Sequence, residues 1–234
     1  MPTFEPFGLQ HLGAACAAVA LSLVPAVLVR RYCTPAGRGR ACKAMALLLL
    51  AYLGVSLAVK TVAYILPLRD NLPLHICGAS IVLGAIMLWR RSYQLFEVVY
   101  FWGIGGTLAA LFTPDLLEGF PHPLFLLFFA GHGFSLSAVA FGALVCDFRP
   151  RPASVAMALG VTGIYAALIF AVNLLLGSNY LYLMHKPAQP SIVDFLGPWP
   201  WYIIGLAAVT VVVCLLCYLP YAVRDWLMDI RRRR

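Results

Sequence analysis

Hydrophobic positions along this chain gather into seven long runs, and the polar stretches between them are short. The runs are Leu9–Val29, Lys43–Leu66, Leu72–Trp89, Tyr93–Thr113, Leu124–Val145, Ala153–Leu176 and Trp199–Val223. Crossing the hydrocarbon core of a bilayer takes roughly 20 mostly apolar residues in a helix. In lipid each segment must satisfy its own backbone N–H and C=O groups, which a helix does. The pattern therefore predicts an all-α, polytopic membrane protein. It is a seven-transmembrane-helix bundle forming one domain over residues 1–234, with no soluble domain attached. Short connections favour antiparallel packing of consecutive helices. Gly103, Gly105, Gly106, Gly131, Gly133, Gly160 and Gly163 are expected where helices approach closely.

Composition agrees with that class. Hydrophobic residues make up 62% of the chain and charged residues 11%, against about 25% charged in an ordinary soluble domain. The mean hydropathy is +0.88.

Charge sets the expected direction of threading. Arg30, Arg31, Arg38, Arg40 and Lys43 separate the first two runs. Arg90 and Arg91 follow the third, Arg149 and Arg151 the fifth, and Arg224 and Arg231–Arg234 the last. The alternate loops hold only Arg69 and Lys186. Positive charge stays on the cytoplasmic side, so the N-terminus is expected outside and the C-terminus in the cytoplasm of a multi-pass cell (inner) membrane protein. No positive charge precedes the first run, so it reads as an anchor and not as a cleaved signal. The net charge of +8 is split among membrane-flanking loops, which excludes nucleic acid as the expected partner. The Arg231–Arg234 run suits anionic lipid instead.

None of the seven cysteines falls in an outer loop, so no disulfide framework is expected. The Cys214-Leu-Leu-Cys217 pair imitates a redox motif inside an apolar helix with no polar neighbour, and reads as packing.

Polar residues at bilayer depth are costly, by about 2.5–3.5 kcal/mol for a charge, and invite a functional reason. His75 and Cys77 open the third run behind Pro73. Two residues apart on a helix is about 200°, so they do not face each other. His132 sits between Gly131 and Gly133, roughly 12 Å below the outer end at 1.5 Å per residue. It either activates Cys77 from a neighbouring helix or bonds a backbone carbonyl and ties two helices. Lys60 either snorkels outward or pairs with Asp70 or Asp115. Glu97 is expected to pair with Arg90 or Arg91, and Asn173 offers a hydrogen-bond donor. No helical His pair or HExxH motif is present, and no metal or cofactor is expected. A zinc site built from His75, His132 and Asp115 stays open on chemistry alone. The outer segments around Asp115, Asn179-Tyr180, Lys186 and Trp199-Pro-Trp201 are dense in aromatic, proline and hydrogen-bonding residues, as functional loops tend to be.

A set of these pieces carries a family likeness. Leu72-Pro-Leu-His-Ile-Cys77, Tyr100-Phe-Trp-Gly103, Leu111-Phe-Thr-Pro-Asp115, Phe120-Pro121, His132-Gly133, Asn179-Tyr180, Lys186-Pro187 and Gly197-Pro-Trp-Pro-Trp-Tyr202 follow in order from the third run into the seventh. In them the chain resembles the YwaF-like integral membrane proteins of bacteria, over roughly two-thirds of its length. Animal relatives of that family look like cysteine-dependent acyltransferases acting on phospholipids. The resemblance implies a nucleophile at Cys77, with His132 or His75 as its base.

The expectation is thus a membrane lipid acyltransferase or acyl hydrolase. It works through a cysteine thioester near the extracytoplasmic face, with membrane phospholipids as partners. Cys77, His132 and His75 would carry the chemistry. Lys60, Asp115, Asn173, Asn179, Tyr180, Lys186, Trp199 and Trp201 would bind substrate. The alternative is a non-enzymatic transporter or binding protein with its pocket on the same face. Oligomeric state is not legible.

Overall fold

The computed structural model describes residues 3–188 and 190–232. Arg233 and Arg234 of the terminal arginine run lie outside the described residues. The chain forms helices α1 (Leu9–Tyr32), α2 (Pro35–Ala58), α3 (Leu68–Asn71), α4 (Ile76–Arg90), α5 (Tyr93–Phe112), α6 (Pro123–Ala140), α7 (Pro152–Leu176) and α8 (Trp201–Arg232). Helices α2 and α6 each end in a π-helical turn, Val59–Ala63 and Phe141–Val145. Among the described residues there is no β-strand, only an isolated bridge between Thr3 and Glu118.

Local chemistry sets the helix ends. Thr34 accepts a hydrogen bond from the Gly37 N–H and Pro35 opens α2, as a side-chain cap and a first-turn proline should. Ser92 caps α5 through the Leu95 N–H. Helix α7 stops at Gly177, whose φ of 65° is the left-handed conformation of a C-terminal glycine. Arg91 adopts the same conformation, φ 52°, at the end of α4.

Six helices are long and apolar enough to cross a membrane: α1, α2 with its π turn, α5, α6 with its π turn, α7 and α8. The predicted seventh span is the shorter α4, with 15 residues. At 1.5 Å per residue it covers about 22 Å of a core about 30 Å thick. The expected run began at Leu72, but Leu72 is extended, with ψ 149°. The proline that follows it disfavours the helical region at that position.

Helix α4 lies in the middle of the bundle, against α2, α5 and α6. The expectation that consecutive helices pair holds for α4 with α5, α5 with α6, and α7 with α8, but α1 packs mainly on α6 and only lightly on α2. Two centrally placed glycines permit this density. A β-carbon on Gly84 would stand 2.6 Å from Ala138 Cβ, and one on Gly103 2.5 Å from Val139 Cγ2. Gly160 and Gly163 have nothing within 4 Å, so close approach does not explain them.

The two ends of the bundle differ. One collects the arginines: Arg30 pairs with Asp147, and Arg149 with Asp225. Glu97 also sits toward this end, buried, accepting a 2.6 Å hydrogen bond from Ser154 and one of 3.3 Å from Arg151. The expected partners Arg90 and Arg91 are not used, because the start of α7 brings Arg151 and Ser154 together over α5. The other end carries the longer loops and the polar residues of interest.

Candidate functional site

The short α4 leaves its first turn inside the loop-rich end of the bundle. The chain reaches it from α2 through irregular backbone, the short α3 and the Leu72-Pro-Leu-His75 segment. Irregular backbone at membrane depth persists only where protein or a polar cavity satisfies it. Here it is satisfied by tyrosines from distant parts of the chain. The Leu72 N–H donates to the Tyr180 hydroxyl at 2.8 Å, and the Tyr165 hydroxyl donates to the Leu74 carbonyl at 2.8 Å. Pro73 folds back on the first turn, so a β-carbon at Gly78 would stand 2.8 Å from its Cα.

Cys77 is the second residue of α4 and is half-buried. Its sulfur lies against α5 at Gly106, where a β-carbon would come within 3.0 Å of it. His75 occupies the N-cap position and gives no side-chain cap. Among the described residues the N–H groups of Ile76 and Gly78 have no hydrogen-bond partner and that of Cys77 turns to its own sulfur; the first amide engaged by a carbonyl is Ala79, bonded to the His75 carbonyl. Uncapped first-turn amides and the positive end of the helix dipole favour a negative charge beside this thiol. Behind it, Ser80 donates to the Cys77 carbonyl at 2.8 Å and meets Ser135 of α6 at 2.6 Å.

His132 lies on α6, buried, with its ring tilted 48° to that of Phe128, centroids 4.4 Å apart. Its Nδ1 is 2.7 Å from the Phe128 carbonyl. A carbonyl only accepts, so Nδ1 carries the proton and Nε2 is the basic nitrogen. Among the described residues Nε2 has no hydrogen-bond partner. The carbonyl belongs to α6 itself, so the bond orients the ring and does not tie two helices. Thr107, next to Gly106 on α5, donates to the His132 carbonyl at 3.5 Å. The Cys77 sulfur and the His132 backbone carbonyl thus meet neighbouring residues of α5, and among the described residues no hydrogen bond joins the sulfur to either imidazole. His75 points away from α5, its ring edge-on to Tyr180 at 5.2 Å and tilted toward Tyr182 at 5.4 Å. The Leu181 N–H donates to its Nδ1 at 3.4 Å.

Lys60 sits in the π turn of α2 and forms no ion pair with Asp70 or Asp115. Its charge is within electrostatic reach of both His75 and His132. Asp115 accepts a 2.9 Å hydrogen bond from Tyr182. Burial, then the carboxylate of Asp115, raise the Tyr182 phenol above its ordinary range, so it remains a donor.

The remaining expected binding residues hold the loop together. Asn173 is buried and held by its own loop: its amide donates to the Tyr180 carbonyl, and its oxygen accepts from the Tyr180 N–H and the Ser178 hydroxyl. Asn179 closes its own turn through Met184 and His185. Tyr180 is buried beneath Leu72 and His75. Lys186 donates to the Asp194 carbonyl and lies over the Tyr202 ring. Trp199 donates to the Leu183 carbonyl, whereas Trp201 is exposed. Tyr182 was not legible as part of the site, because a loop tyrosine among several carries no distinguishing spacing. Among the described residues, no three of the His, Cys, Asp or Glu side chains are placed to hold a metal ion, so the His75, His132 and Asp115 set does not form a ligand cluster.

Comparison with known proteins places the chain in a family. The family described as the TMEM164 family matches residues 6–218. That span includes α1 and α2, which contribute little to the sequence resemblance. An uncharacterised protein of Treponema pallidum (strain Nichols) is 30% identical over 227 residues, covering 93% of this chain and 90% of the relative. No solved structure matches the chain.

Proposed function

The chain belongs to the TMEM164 family, a family of membrane proteins, and from that premise we propose that this integral, multi-pass membrane protein is a thiol acyltransferase or acyl hydrolase acting on phospholipid. The carrying observation is the position of Cys77 in the first turn of a short, uncapped helix within the bundle. The arginine distribution supports an N-out, C-in orientation in the cell membrane, which puts the thiol toward the extracytoplasmic leaflet.

In this reading the Cys77 sulfur attacks an ester carbonyl. The S–C bond forms, the ester C–O bond breaks, and the thiol proton passes through His132 Nε2 to the departing lysophospholipid alkoxide. An acceptor hydroxyl, or water, then gives its proton to the same nitrogen and attacks the thioester, releasing the thiol. The unpaired amides of the first turn of α4 receive the oxyanion. Substrate must bridge the sulfur and the imidazole, which are not bonded to each other in its absence. Lys60 lies where a phosphate headgroup needs a cation, and Trp201 at headgroup level.

The test is turnover of ester-labelled phospholipid by purified protein in vesicles. Cys77→Ala abolishes acyl release, whereas replacing Cys16, Cys33, Cys214 and Cys217 together does not. Full turnover by Cys77→Ala overturns the proposal. Saturable lipid or solute binding without turnover, unaffected by thiol blocking, favours the binding protein instead.

A further inference from the structure

The arginine-rich end holds a feature that the acyl-transfer reading does not use. A cleft of about 250 Å³ opens between the start of α2 and the end of α4. It is lined by Ala36, Gly39, Arg40, Lys43, Leu88, Trp89 and Arg91. Three of these seven side chains are cations, and no carboxylate lines the cleft. Arg40, Lys43 and Arg91 are exposed, and among the described residues none forms an ion pair. Another space at the arginine-rich end makes the contrast. That second space, about 270 Å³, is lined by Arg149, Asp225, Met228, Asp229 and Arg232, and its two carboxylates balance its two arginines.

The cations are held in place. Lys43 Nζ lies 5.4 Å from the centroid of the Trp89 ring, a cation–π arrangement that orients the ammonium. Arg91 is fixed by its left-handed backbone at the end of α4, where its N–H bonds the Met87 carbonyl. The first turn of the 24-residue α2 forms one wall through Ala36 and Gly39, adding the positive end of its dipole. Trp89 is half-exposed beside the cleft, as an aromatic at a membrane interface is.

We propose that this cleft binds a phosphate group, carried by a lipid headgroup or by a small phosphate ester. Arg40 and Lys43, with Arg91 at the rim beside Cys146, and no carboxylate in the lining, match a group with one or two negative charges and several acceptor oxygens. A volume of 250 Å³ equals about eight waters at roughly 30 Å³ each, enough for the phosphate and the glycerol unit attached to it. The site is independent of Cys77, at the opposite end of the bundle.

Native mass spectrometry of the detergent-solubilised full chain tests this, with phosphatidic acid, phosphatidylcholine, glycerol 3-phosphate and inorganic phosphate as separate probes. The wild type retains one phosphatidic acid in preference to phosphatidylcholine. Arg40→Gln and Lys43→Gln each weaken retention about tenfold, the size of one charge-assisted contact. Arg40→Lys keeps most of it, and Arg231→Gln with Arg232→Gln changes nothing. Displacement by glycerol 3-phosphate or inorganic phosphate at comparable concentration assigns the site to soluble phosphates, and retention against both assigns it to lipid. Equal retention of phosphatidic acid by wild type and the Arg40→Gln, Lys43→Gln double variant, with the double variant still monodisperse, overturns the proposal. So does equal retention of phosphatidylcholine by the wild type.

Discussion

Gly106 on α5 is the surface against which the Cys77 sulfur rests, and a β-carbon there would stand 3.0 Å from it. The thiol therefore has its position set by the missing side chain of a neighbouring helix. Gly106→Ala pushes the sulfur by a few tenths of an ångström, and small misplacements of reacting groups are expensive. Phospholipid turnover should fall about tenfold or more, while folding is kept. Gly160→Ala, which meets nothing within 4 Å, should leave turnover unchanged. Equal turnover in both variants removes Gly106 from the site.

Tyr182 links the same site to the long loop through its hydrogen bond to Asp115. Tyr182→Phe removes that bond and loosens the lid over His75. Melting in detergent should drop by the equivalent of about 0.5–1.5 kcal/mol. The phenol is held protonated by burial first and by the Asp115 carboxylate second. A raised folded-state value means the contribution is complete below the ordinary tyrosine range, about 10, and is lost as pH rises through the higher folded value. Above about pH 10 the wild type should lose stability faster than Tyr182→Phe. Parallel melting curves from neutral to strongly alkaline pH would contradict this.

At the arginine-rich end, Glu97 depends on Ser154 and Arg151. Ser154→Ala strips the 2.6 Å donor from a buried carboxylate and should cost about 1–3 kcal/mol of stability. Arg151→Gln should cost less, because the guanidinium is exposed and its bond is 3.3 Å long. Thermal unfolding of the two variants checks the order.

Cys42 of α2 and Cys146, just past α6, bring their sulfurs within 3.7 Å. The hydrogen bond from Cys42 first, with Arg91 beside it, holds the Cys146 thiol below its ordinary range. The thiolate is the attacking form. Diamide, which is reduced as the two thiols are oxidised, should therefore join this pair. The rate should climb with pH and level off below the range of an ordinary thiol, about 8.5. Peptide mapping after proteolysis reads the Cys42–Cys146 crosslink, and a crosslink to Cys33 instead would refute the pairing.

Much of this architecture was legible because lipid makes demands on every residue. The runs over α1, α2, α5, α6, α7 and α8 are read directly from uninterrupted apolar length. Helix α4 was misjudged by four residues because Leu72 and Leu74 are apolar, while the proline between them decides the backbone. Cys77 and His132 stood out as costly residues at depth. Their contacts with neighbouring residues of α5 did not, since helix rotation and neighbours are tertiary facts. The light contact of α1 with α2, the Cys42–Cys146 proximity and the Ser154–Glu97 bond are likewise invisible to periodicity. The loop bonds of Asn173 are hidden for a related reason: a lone buried amide announces that it needs partners, not which residues supply them.

The central claim is that the Cys77 sulfur becomes acylated. Intact-protein and peptide mass spectrometry after brief incubation with phospholipid, quenched in acid, tests it most directly. A fatty-acyl mass on the Cys77 peptide is predicted, removable by neutral hydroxylamine and missing in Cys77→Ala. It should accumulate in His132→Gln only slowly. An adduct on another cysteine, or none at Cys77 while phospholipid is still consumed, would contradict the account.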